Sequence, residues 1–228
     1  MSRSQLLKDI VSGQVQIENI LWRLKVILSD LGNDLIMNWV NGELQGYKKE
    51  ETVPKYRILK GHPIGTYLVN GVHQYTNALV PLEYLLPEDR IDNLKRLEAR
   101  ESIATIQNVL NGENRENYAK TVDTSFCHFI SNDELQIVGM RVAFASNQLD
   151  EIVSNVKSKL VDIVMELEKQ FDDLDNLDIK SQLEENYSNK EKAVYNIVNI
   201  IDDSINIGDK NRFSKSTLGN FLGLKDKT

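Results

Sequence analysis

The chain has 228 residues, of which 41% are hydrophobic and 27% charged, enough apolar material for a buried core and too ordinary a charge content for broad disorder. The formal net charge is −7, and the whole acidic excess lies in residues 121–228, which hold 12 basic and 19 acidic side chains, against 15 of each in the first 120. A neutral-to-acidic surface repels phosphate backbones at long range, which disfavours nucleic acid and anionic membrane as general partners.

Leu6, Leu7, Ile10 and Val11 form one face of a short helix that ends at Gly13. Val15, Ile17, Ile20, Leu21, Leu24, Ile27, Leu28 and Leu31 step by three and four, which predicts a helix over 14–31 capped by Gly32. Asn33 or Asp34 is placed to start a third helix carrying Leu35, Ile36, Trp39, Val40 and Leu44. Residues 47–87 hold all four prolines and read as irregular chain with short strands at Tyr56–Leu59, Thr66–Val69 and Ala78–Val80. Pro87 with Glu88 and Asp89 opens a helix expected to run to about Gly112.

Residues 113–120 read as a loop, Thr121–Ile130 as either strand or irregular chain, and Asp133–Gly139 as the start of another helix. Leu149, Ile152, Val153, Val156, Leu160, Ile163, Val164, Leu167 and Phe171 give the strongest periodicity, that of a long amphipathic helix with a coiled-coil-like seam. Residues 172–192 read as an acidic linker. In 193–228, Tyr195 and Ile197 begin an alternation, Asn-Ile pairs recur, and Gly208-Asp209 signals a turn, so short strands are expected. A short hairpin is marginal alone in water, and edge pairing with copies of itself would satisfy its backbone.

Leu31-Gly32, Trp39, Glu43-Leu44-Gln45-Gly46-Tyr47 and Pro54-x-Tyr56-Arg57 form an ordered string, followed by Val80-Pro81, Leu85-Leu86-Pro87 and Glu101-Ser102-Ile103. This string resembles the AbiTii domain family of bacterial abortive infection, over roughly Leu6 to Leu110. The resemblance implies a phage-defence protein, possible host toxicity when triggered, and no transferable catalytic mechanism.

Trp39, Glu43, Tyr47, Tyr56 and Arg57 are the best polar cluster. Trp39 and Glu43 stand at i, i+4 on one helix face. They read either as the lining of a polar pocket, in an enzyme that cleaves nucleotides or RNA, or as a structural ion pair of Glu43 with Arg57 beside a core tryptophan; the second is preferred. Cys127, His128, His62 and His73 lack the close ligand pairs zinc uses, so no metal or other cofactor is expected. The lone cysteine gives no sign of an oxidising compartment, Lys8 and Asp9 argue against a signal peptide, and no apolar run reaches 18 residues, so the cytoplasm is the expected location.

The expected fold is mainly α: a helical domain over 1–171 with a small irregular or β insertion, a linker over 172–192, and a C-terminal β segment over 193–228. The expected function is abortive infection, as a toxin or toxin-like effector whose partner is itself. Tyr195, Ile197, Ile200, Ile205, Ile207, Phe213 and Leu218 are the expected oligomerisation residues. A phage trigger or a second defence protein is left open.

Overall fold

The computed structural model describes residues 3–113, 115–172, 174–185 and 187–202. It is mainly α, 58% helical, with small antiparallel sheets inserted. In chain order come α1 (Gln5–Ser12), α2 (Ile17–Ser29), α3 (Asp34–Gln45), β1 (Ile58–Lys60), β2 (His62–Val69), β3 (His73–Leu79), α4 (Glu88–Lys95) and β4 (Arg96–Glu98). They are followed by α5 (Ile103–Asn111), β5 (Ala119–Thr121), α6 (Thr124–Ile130), β6 (Leu135–Ala143), α7 (Ser146–Gln170), α8 (Lys180–Glu185) and α9 (Tyr187–Ile201). Two compact units result. One joins residues 1–44 with 157–228, and the other is 45–156.

The first unit is helical and its caps are local. The Ser4 hydroxyl accepts from Leu7 N at the start of α1, and the Asn33 side chain accepts from Ile36 N at the start of α3. Fully buried aliphatics come from both ends of the sequence: Leu6, Leu24 and Ile36 on the early helices, Leu160 and Leu167 on α7, Ile197 on α9. Each is worth about 1.5–3 kcal/mol relative to exposure. Backbone and side-chain bonds close the unit: Ser4 N donates to Glu168 (2.8 Å), Arg3 pairs with Glu168 (2.7 Å), and Gln5 N donates to Asp175 (2.8 Å).

The linker and the first part of the tail differ from expectation here. Leu174, Ile179 and Leu183 are buried, and residues 180–185 and 187–201 are helical rather than linker and strand. Tyr195, Ile197 and Ile200 therefore lie on α9. The α9 residue Asn196 donates to buried Glu166 of α7 (2.7 Å), and Lys159 of α7 donates to the Ile200 carbonyl (2.6 Å). Ile205, Ile207, Phe213 and Leu218 lie outside the described residues.

The second unit is built on a four-stranded antiparallel sheet of order β3-β2-β6-β5, with a smaller pair β1-β4. Three sequence expectations are corrected in it. The single helix from Pro87 to Gly112 is two, because Arg96–Glu98 pairs with Ile58–Lys60 as β4. Residues 124–130 are helical, because the Asp123 side chain caps α6 by accepting from Ser125 N (2.7 Å). Residues 135–143 form β6, alternating buried Leu135 and Ile137 with exposed Gln136 and Val138. The strands expected at 66–69 and 78–80 are longer, as β2 and β3.

Gly65 sets the approach of β2 to β6, since a Cβ there would stand 2.3 Å from the Gly139 carbonyl oxygen. The pairing is bulged at this level on both sides of Thr66: Val138 is the extra residue of β6, and Thr76 with Asn77 opposes Thr66 on β3. Asn77 takes a φ of 51° at that bulge.

Candidate functional site

Pro54 leads into a single turn over Lys55–Arg57, closed by Arg57 N donating to the Pro54 carbonyl (2.9 Å). The chain then enters β1, which holds β4 alongside, and Ala99 N donates back to the Arg57 carbonyl (2.8 Å). This brings the segment following β4 under the Arg57 side chain. Its Nη1 donates to the carbonyls of Ala99 (2.9 Å) and Glu101 (2.7 Å), and the guanidinium stands 5.1 Å from the centroid of the Tyr47 ring. Arg57 has no exposed surface. Carbonyl oxygens and an aromatic face thus replace water around a cation that never loses its proton.

Gly46 and Tyr47 reach the same segment from the other side. Tyr47 N donates to the Arg100 carbonyl (2.7 Å), and Gly46, at φ +87°, leaves room that a Cβ would fill at 2.7 Å from that oxygen. Arg100 itself donates to the carbonyls of Lys48 and Glu51 and pairs with Glu98 (2.5 Å). Residues 46–51, 57 and 98–101 are one tied structure.

Tyr118 completes it. Its hydroxyl donates to the Glu101 carboxylate (3.0 Å), and its ring lies 6.0 Å from that of Phe144. Burial first, then the charge of Glu101 and the hydrogen bond it accepts, hold the phenol well above the usual tyrosine range, with Arg57 acting in the opposite direction. A folded-state value raised above the unfolded one means stability that is fully present below the ordinary tyrosine value and lost as pH rises past it. Denaturation on either side of about pH 10 checks this: the wild-type chain loses stability with rising pH more steeply than Tyr118→Phe.

Of the expected cluster, Arg57 stands over the Tyr47 ring. Tyr56 is half-buried in the turn before β1, and Trp39 and Glu43 are buried on α3 in the first unit. Ala99, Glu101 and Tyr118 were not anticipated as partners. Glu101 stood in the family-like string, whereas Tyr118 sits in a polar stretch with no signal. Cys127 is buried on α6, where burial pushes its thiol upward, the wrong direction for a nucleophile. Among the described residues no three of His, Cys, Asp and Glu gather as a metal site.

A motif arginine enclosed by backbone carbonyls defines a framework, and the chain is a mainly helical protein whose most distinctive residues set the geometry of its second unit. The sequence model of the AbiTii family matches residues 4–193, and the chain belongs to that family. Membership points to abortive infection, the bacterial defence against phage. No curated protein and no solved structure matches the sequence. Among the described residues no helix is long and apolar enough to cross a membrane.

Proposed function

We propose that this chain is a toxin-like effector of abortive infection that works as an assembly of its own copies, joined through residues 203–228, and not through catalysis at its family motif. The observation that carries the reading is the enclosure of Arg57: a guanidinium with no exposed surface, bonded to two backbone carbonyls, is out of reach of a substrate. The assembly half of the proposal draws on sequence chemistry. Residues 203–228 follow α9 with Ile205, Ile207, Phe213 and Leu218 spaced among Asn, Ser and Gly, a composition suited to pairing between chains.

Growth of bacteria expressing the full chain, beside bacteria expressing a chain that ends at Asp202, tests the proposal. Ending there keeps α9 and its buried Ile197. Arrest by the full chain alone is the expected result. Equal arrest by both chains removes the tail from the mechanism. Arrest that appears only during phage challenge assigns the trigger to a phage component.

A further inference from the structure

One face of the four-stranded sheet and one of its edges carry no other element among the described residues. β3 is the end strand, and six of its seven residues are exposed. It contains no Lys, Arg, Asp or Glu and no proline, the devices that usually blunt a sheet edge. On the outer face, Leu79, Ile64, Arg141 and Thr121 stand in register across the four strands. Leu79 is 64% exposed and Val138 50%. The twin bulges at Thr66 open a groove of about 490 Å³ between them, lined by residues of all four strands and by no carboxylate.

Arg141 is the one charged side chain of that groove. It is exposed and stretches across β2 to Asn77 of the edge strand, where its Nη2 donates to the amide oxygen at 3.4 Å. Among the described residues no carboxylate stands within salt-bridge distance of it. A cation therefore sits beside an open, uncharged strand edge, two residues along from exposed Leu79.

We propose that this edge accepts residues 203–207 of a second copy as a fifth strand. In an extended chain alternate side chains share a side, so Asp203, Ile205 and Ile207 would all face one way, ahead of the turn signalled by Gly208-Asp209. An acid and an isoleucine two residues apart are separated by about 6.6 Å along a strand, so an aspartate level with Asn77 places its isoleucine near Leu79. One aspartate thus meets Arg141 while its neighbouring isoleucine covers Leu79. The charge complementarity is between an acidic segment and a groove whose only charge is positive, and the binding mode is strand addition at a sheet edge.

This inference rests on the assembly reading above and supplies its acceptor surface. The experiment is sedimentation analysis of full-length chains over a range of concentrations. Arg141→Asp, at an exposed position, is expected to leave the thermal melt unchanged and to weaken self-association about tenfold or more by placing like charges together. Adding Asp203→Lys to that chain restores association. Rising salt weakens the wild-type association and leaves the melt in place. If Arg141→Asp associates like wild type while removal of residues 203–228 gives a monomer, the tail assembles elsewhere and the inference falls alone. A wild-type chain that stays monomeric at tens of micromolar overturns both the inference and the assembly reading.

Discussion

Arg57→Ala lowers the unfolding free energy by about 3–5 kcal/mol, the largest effect expected of any polar substitution in the second unit. The mutation removes the donor to two carbonyls, those of Ala99 and Glu101, and the cation over Tyr47, in a place water does not reach. It also leaves a cavity the size of a long side chain. Arg57→Lys recovers only part of the loss, because a single ammonium lacks the planar donor set of a guanidinium. Urea denaturation of the full-length variants is the measurement. Any defect in defence should track the folded fraction. A variant that melts like wild type and yet abolishes defence would instead make Arg57 a functional contact and revive the enzyme reading.

Ile197→Asp is expected to cost at least about 4 kcal/mol, because it places a carboxylate at a site with no exposed surface. Ile197→Ala should cost about 2–5 kcal/mol, and Lys192→Asp, on the exposed side of α9, under about 0.5 kcal/mol. This contrast follows from a helix, in which Ala193 and Ile197 share the buried face four residues apart. A strand over 195–201 would set Tyr195, Ile197 and Asn199 on one face and make their substitutions alike in effect. Calorimetry of Tyr195→Asp and Asn199→Asp beside Ile197→Asp separates the patterns. It also fixes where a tail deletion should begin: cutting before Ala193 removes part of the core, and cutting after Asp202 leaves it.

Helices α1, α2, α3 and α7 were legible because their signals are local. Three-and-four spacing placed α1, α2, α3 and α7, and Gly13 and Gly32 marked ends within a residue or two. The errors fall where pairing is remote or where one pattern serves two periods. Leu94 and Leu97 keep helical spacing, but Arg96–Glu98 is taken up by β1, some forty residues earlier in the chain. In β6 the extra residue Val138 shifts the inward set from Leu135 and Ile137 to Met140 and Val142, which breaks the alternation that identifies a strand. Tyr195 to Ile201 satisfies both periods, and the partners that favour the helix, Glu166 and Lys159, lie on α7. The candidate site was half legible for a similar reason. Arg57 and Tyr47 are side chains with a spacing, whereas the carbonyls of Ala99 and Glu101 that Arg57 meets are backbone oxygens, which leave no trace in residue identity.

The order in which the ribosome delivers this chain bears on when it can act. Ser4 and Gln5 wait for Glu168 and Asp175, which stand 164 and 170 residues later. At synthesis rates of about 5–20 residues per second, that gap lasts on the order of ten to thirty seconds. The second unit, complete once residue 156 has emerged, has its whole sequence in hand before the first unit can close. An interrupted message then yields a chain whose first helices have no place to bury Leu6, Ile10 and Leu24. Such a chain is a substrate for proteases, so translation itself withholds a folded first unit until its late helices have been made.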